Sequence, residues 1–343
     1  MSPGTAVSVV IATCNRAENL QRCLEALVAS DLPGVPWEII VVDNGSTDST
    51  RGVVRAFGDD GRAPVQYLFE QHRGKSIALN CGVRKARGQL LAFTDDDCIV
   101  TKRWLGSVLD EFAKDPLLAV LGGRVELYDP MAQPISLVRF TERLDIPRDD
   151  PSVLVGRVIG ANMTVRRDVV KVIGGFDCAI GPGVGGRALG GEDVDFVYRA
   201  WRAGLKVTYS PACLVMHNHG RYTDAAMKAV VRSYNRGIGA FYGRFLMAWD
   251  KAAARMTYWT LRTQVFKICS WAIRPSERAW RVTSTRDLLA GLFSAPMRYG
   301  GSIWRRNVCC GLCPLAVNDS DDAATARKCS RFRRLSIILH PLP

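Results

Sequence analysis

Within the first hundred residues, short apolar runs alternate with helical patterns, and each run stops at a polar or acidic loop. Val7–Ala12 (VSVVIA) ends in Thr13-Cys14-Asn15-Arg16, and Trp37–Val42 (WEIIVV) ends in Asp43-Asn44-Gly45-Ser46-Thr47-Asp48. Val65–Glu70 and Gln89–Thr94 repeat the pattern, the latter ending in Asp95, Asp96 and Asp97. Continuous β-branched runs of this length read as strands buried on both faces. Between them, Leu20, Leu24 and Leu27 share one helical face, and Gly74–Arg87 reads as a further helix. Strand–helix alternation with short loops makes right-handed βαβ units. The expected fold is therefore α/β, a doubly wound, mostly parallel sheet flanked by helices. Ligands of such sheets bind at the loops after the strands.

Three adjacent carboxylates at Asp95–Asp97 repel one another, so a cation belongs among them. A hard divalent ion carrying a phosphate suits these oxygen ligands. A solvated acidic turn is the other reading, and the triplet alone leaves both open. Alternation along a strand would aim Asp95 and Asp97 the same way. Lys102–Lys114 then reads as a helix, Ala119–Leu127 as a strand, and Tyr128–Asp150 as an irregular, partly mobile insertion. Val158–Val165 reads as a strand with a glycine inside it. Asp43, with Asn44, Ser46 and Asp48 available to cap the next helix, is left free for a base or ribose.

A second acidic stretch is Gly181–Asp195 (GPGVGGRALGGEDVD). Its six glycines up to Gly191 cannot pack a core and read as a flexible loop. The loop opens onto Glu192, Asp193 and Asp195 at a helix start. Capping needs one such residue, so a glycine-rich lid over paired carboxylates points to acid–base chemistry. Leu205–Tyr209 and Pro211–Met216 lead into His217 and His219, either of which suits a metal or a diphosphate. No G-x-G-x-x-G and no P-loop is present, which argues against the dinucleotide and P-loop classes.

Charge divides the chain. Residues 1–220 carry 25 Lys+Arg and 26 Asp+Glu, whereas residues 221–343 carry 21 and 7. Basic charge mixed with Trp259, Trp271, Trp280, Trp304 and Phe293 suits an anionic membrane surface, and a solvated basic helical layer is the other reading. No nucleic-acid recognition motif accompanies it. Eleven thinly spread cysteines and no secretory signal fit a reducing cytoplasm. The cluster Cys309, Cys310, Cys313 lacks the second pair that a zinc site needs.

Taken together these stretches resemble the family 2 glycosyltransferases of GT-A fold. The matching pieces run in the family's order over about residues 5–220: VSVVIATCNR (Val7–Arg16), IIVVDNGSTD (Ile39–Asp48), GKSIALN (Gly74–Asn80), FTDDD (Phe93–Asp97), GANMTVRR (Gly160–Arg167) and GGEDVDF (Gly190–Phe196). The resemblance implies inverting transfer from a nucleoside-diphosphate sugar, expected to be a UDP-sugar, with Mg²⁺ or Mn²⁺. Its D-x-D motif maps to Asp95 and Asp97, with Asp96 able to take one role, and His217 or His219 maps to a late position near metal. Thr13, Asn15, Arg16, Asp43, Lys75 and Asn80 map to nucleotide-contacting positions. Gly160, Ala161 and Asn162, with Gly191, map to the sugar or acceptor pocket. Asp193 maps to the catalytic base, with Glu192 beside it.

The Q-x-x-R-W signature of processive synthases is absent, which implies transfer of a single sugar to a saccharide or lipid-linked saccharide. The implied organisation is a catalytic domain at 1–220 and a basic, mainly helical region at 221–343, beginning near Ser233–Gly239 and irregular from about residue 309. The expected location is cytoplasmic, with a peripheral position on the inner face of the membrane as the further candidate. The rivals are a sugar-nucleotide nucleotidyltransferase and an inactive sugar- or nucleotide-binding module.

Overall fold

The computed structural model describes residues 6–31, 34–59, 64–184, 189–270 and 274–299. Gly185–Ala188 of the glycine-rich stretch, Trp271, Trp304, the cysteine cluster at 309–313 and the tail expected from about 309 lie outside the described residues.

The strands are β1 (Val7–Thr13), β2 (Trp37–Asp43), β3 (Val65–Phe69), β4 (Leu90–Thr94), β5 (Cys98–Val100), β6 (Leu118–Leu127), β7 (Leu144–Asp145), β8 (Asn162–Arg166) and β9 (Lys206–His217). They form one sheet in the order β3-β2-β1-β4-β8-β6-β9-β5, with β7 against β9. β3, β2, β1 and β4 are mutually parallel, and β6 runs parallel to β9. β8 is antiparallel to both of its neighbours, so the parallel character belongs mainly to the first half of the sheet. Val9, Val10, Ile11, Ile39, Ile40, Val41, Val42, Leu91 and Ala92 have no measurable exposure, as strands covered on both faces require.

Helices α1 (Ala17–Val28), α2 (Thr50–Asp59), α3 (Lys75–Lys85), α4 (Trp104–Lys114), α5 (Arg167–Ile173) and α6 (Glu192–Arg202) flank the sheet. α1 takes its cap from a neighbouring loop: Asp48 Oδ2 accepts from the Ala17 N–H at 3.0 Å, while Asp48 Oδ1 accepts from the Thr50 N–H of α2. One carboxylate thus serves the exposed donors of two helix starts.

Three expectations change here. The strand expected at Val158–Val165 begins only at Asn162, so Gly160 lies in the turn before it rather than inside the strand. Tyr128–Asp150 is pinned rather than loose: Ala132, Ile135 and Val138 are buried, and Arg143 pairs with Glu111 and Asp145. Leu205–Tyr209 and Pro211–Met216 are one strand, because the register against β6 slips between Ser210 and Leu214. A proline, lacking an N–H, is tolerated at such a bulge.

Three helices complete the described chain: α7 (Asp224–Met247), α8 (Lys251–Cys269) and α9 (Pro275–Tyr299). α7 lies backbone to backbone on the loop before α6, since a Cβ on Gly237 would fall 1.5 Å from the Gly190 carbonyl oxygen. None of the described helices is long and apolar enough to cross a membrane.

Candidate active site

The sheet order makes the site. β1 has β2 on one side and β4 on the other, so the loops after β1 and β4 meet at the point where the winding reverses, where open α/β sheets bind ligands. β4 stops at Thr94, and Asp95–Asp97 form the turn into β5. The alternation argument therefore does not apply to the triplet, and each carboxylate takes its own direction.

Asp96 is buried; it accepts from Thr13 Oγ1 at 2.8 Å and from Arg16 Nη1 at 3.1 Å. Asp97 is buried; it accepts from Arg16 Nη1 at 2.6 Å and lies 3.1 Å from His217 Nε2. Asp95 is more open and binds Lys75 Nζ at 2.5 Å. The cations that the triplet demanded are thus supplied by the chain itself. Burial, against the opposing charge of Arg16, pushes Asp96 up to about 6. Burial acts on Asp97 the same way, but the hydrogen bond and charge of His217 and the charge of Arg16 outweigh it and hold Asp97 below the usual carboxylate range.

These groups line a cavity of about 340 Å³ with Asn44, Arg73, Pro182, Gly183, Arg221 and Tyr234. A second cavity of about 290 Å³ adjoins it and shares Lys75, Asp95, Pro182, His217 and Tyr234. Its own wall includes Gly160, Ala161, Gly191, Glu192, Asp193 and Ile238. Asp193 is fixed from two sides: Oδ2 accepts from the Gly160 N–H and Oδ1 from the Val194 N–H, each at 2.8 Å. Glu192 is buried 3.5 Å from Lys75 Nζ. Burial, partly offset by Lys75 and reinforced by Asp193, pushes Glu192 up to about 7. Lys75 is held well above its usual value because Asp95 and Glu192 outweigh its burial.

Several expected site residues do other work. Asn162 faces away from the cleft: its Oδ1 accepts from Trp104 Nε1, and its Nδ2 donates to the carbonyls of Arg124 and Cys213. Asn80 is buried and exchanges hydrogen bonds with the backbone of Phe176. A buried amide must satisfy both its ends, and these two do so inside the protein. Asn15, at φ +54°, ties the β1 loop to the β2 loop by accepting from the Thr47 N–H at 2.7 Å. Asp43 is not free either, accepting from the Ser46 N–H and from Tyr67 Oη. His219 is spent on the Gln133 carbonyl and the Arg221 N–H, whereas strand register sets Cys98 opposite His217 and so brings His217 to Asp97.

Sequence reasoning missed Asn44, Arg73, Arg221, Tyr234 and Ile238. Arg73 stands directly before Gly74-Lys75 and was open to notice. Tyr234 and Ile238 come from α7, so the cleft is not confined to residues 1–220. The lid reading rests on residues 185–188, outside the described residues; its near flank is anchored by Lys75 N–H donating to the Pro182 carbonyl at 2.9 Å.

The residues present fit a divalent ion. Asp97, Cys98 and His217 offer ligand atoms within 4.8 Å of one another, and His217 Nδ1 is buried without a hydrogen-bond partner among the described residues. Burial holds the Cys98 thiol well above its usual value, which leaves a carboxylate and an imidazole as the effective donors.

An acidic turn at the switch point of a GT-A sheet, with a carboxylate pair across the cleft, fits a glycosyltransferase. The description of glycosyl transferase family 2 matches residues 8–173 of this chain. Glycosyltransferase AglE of Haloferax volcanii is 28% identical over 211 residues, 62% of this chain and 66% of that one. The pre-mycofactocin glycosyltransferase of Mycobacterium tuberculosis is 28% identical over 363 residues, 97% of this chain and 70% of that one. Among solved structures, the mannosyltransferase PcManGT of Pyrobaculum calidifontis, in complex with GDP-Man and Mn²⁺, shares the fold: its TM-score is 0.59 at 18% identity, covering 84% of this chain and 86% of that one. These likenesses are to glycosyltransferases and favour that reading over the nucleotidyltransferase alternative.

Proposed function

We propose that this enzyme moves one sugar, with inversion, from a nucleoside-diphosphate sugar to a hydroxyl of a saccharide or lipid-linked saccharide. The observation that carries the reading is the pair of adjoining cavities: one holds the triplet and its cations, the other holds Asp193, and Lys75, Asp95, His217 and Tyr234 border both. The first cavity suits the nucleoside diphosphate, with Arg16, Arg73 and Lys75 supplying positive charge to its phosphates. Asp97 and His217, with Asp95 beside them, would hold Mg²⁺ or Mn²⁺. When bound, that ion offsets charge developing on the leaving diphosphate.

Asp193 takes the proton from the acceptor hydroxyl, which attacks the anomeric carbon from the face opposite the diphosphate. The Gly160 N–H keeps one carboxylate oxygen in place for that step. Glu192, pushed up to about 7 by burial, lies 3.5 Å from Lys75 Nζ and positions that ammonium. The favoured donor is a UDP-sugar. A thermal-shift panel of UDP-, GDP- and dTDP-sugars with and without Mn²⁺, followed by a nucleotide-release assay, tests the reading. Stabilisation by one donor only with Mn²⁺ supports it, and no donor binding under either condition defeats it.

A further inference from the structure

α8 is joined to the body by its first half, where Ala253, Met256 and Thr257 are buried; no residue from Tyr258 to Cys269 is buried. The exposed half is nonetheless rich in large apolar groups. Tyr258, Trp259, Val265 and Phe266 are 60%, 46%, 54% and 75% exposed. Helical spacing gathers Arg255, Tyr258, Trp259, Arg262, Val265 and Phe266 onto one stripe, opposite the face that carries Ala253, Met256 and Thr257. Within it the Arg262 guanidinium lies over the Trp259 ring, 4.7 Å from its centroid. Residues 251–299 carry nine Lys+Arg against two Asp+Glu.

We propose that this stripe is a membrane-docking surface that lies in the plane of an anionic lipid interface. Rings, aliphatic side chains and cations on one helix face suit the headgroup–acyl boundary, where apolar groups leave water and Arg meets lipid phosphate. The positive charge argues against a second copy of the chain as the occupant, since a self-complementary contact would set Arg255 and Arg262 against their own kind. Nucleic acid would use the cations, but Val265 and Phe266 would gain little against a phosphate backbone. None of the described helices can span a bilayer, so docking is parallel to the surface. The inference goes beyond the transfer reaction and does not rest on it.

The test is flotation of the full chain with vesicles of phosphatidylcholine alone or mixed with phosphatidylglycerol, at low and high salt. The parent binds only the mixed vesicles, and salt weakens binding. Trp259→Ser with Phe266→Ser lowers affinity about 100-fold, from about tenfold for each ring withdrawn from the interface. Arg255→Gln with Arg262→Gln lowers it about 25-fold, from about fivefold per cation. Phe69→Ser, at another exposed ring, changes nothing. Circular dichroism confirms that each variant folds, as expected where no buried residue is altered. The proposal is overturned by no binding to mixed vesicles at low salt, by equal binding to both vesicle types, or by stripe variants that bind like the parent. It is equally overturned if the stripe variants lose RNA binding or self-association while the parent binds no vesicle.

Discussion

Asp95–Asp97 and Glu192–Asp195 each place three carboxylates within four residues, yet the two clusters are used differently. In the triplet, a turn at the end of a strand sends Asp96 and Asp97 onto Arg16 and Asp95 onto Lys75, and all three line one cavity. At the helix start, successive residues rotate by about 100°, and the three acids enter three environments. Asp193 stays in the cleft, Glu192 is buried toward Lys75, and Asp195 is buried between Arg199 and Arg244. The turn concentrates charge on one cavity; the helix start divides it between the cleft, Lys75 and the scaffold.

The largest effect is expected at the triplet. Asp97→Asn removes the carboxylate that joins Arg16 to His217. Turnover should fall about 10³-fold, and Mn²⁺-dependent stabilisation by the donor should disappear from thermal-shift curves. An unchanged Mn²⁺ response would mean that the ion, if used, is held elsewhere.

Arg244→Met probes the scaffold side. Arg244 on α7 is buried and bridges Asp177 to Asp195 at 2.7 Å each. Removing one partner of a buried ionic cluster destabilises by about 3 kcal/mol, measurable by urea denaturation. A loss as small as that of a surface substitution would show that α7 is not needed to hold the start of α6.

Glu192→Gln gives a smaller effect with a defined sign. Folded Glu192 titrates near 7 instead of 4.5, so between those values the folded protein binds the extra proton and loses stability as pH rises. The glutamine variant lacks this loss. It should melt a few degrees above the parent at about pH 8 and converge with it below about pH 4.5. A difference that grows toward low pH would reverse the assignment.

Asn15→Ala should have the smallest effect. Alanine at φ +54° costs about 1 kcal/mol, read as a lower melting temperature, with the catalytic constant nearly unchanged because Asn15 itself does not line the cavity.

The first half of the sheet was legible because strands buried on both faces write unbroken apolar runs, and their ends mark the ligand edge. Residue roles were less legible. Asn80 and Asn162 sit in motifs of a binding site but satisfy buried backbone and indole groups, which sequence spacing cannot register. The choice of His217 over His219 depends on β5 pairing with β9 across more than a hundred positions. α7 reads from the sequence only as part of a basic helical region, because the close backbone contacts of Gly237, Gly239 and Gly243 leave no mark in apolar spacing. Tyr234, Ile238 and Arg244 consequently carried no signal of their place at the site.

The division of labour between the two clusters is tested most directly by Asp193→Asn, with donor affinity and turnover measured on the same preparation. If Asp193 is the base and the triplet holds the nucleotide, donor affinity with Mn²⁺ stays within about twofold of the parent while turnover falls about 10³-fold. Retained turnover, or donor affinity lost in step with it, would contradict the account.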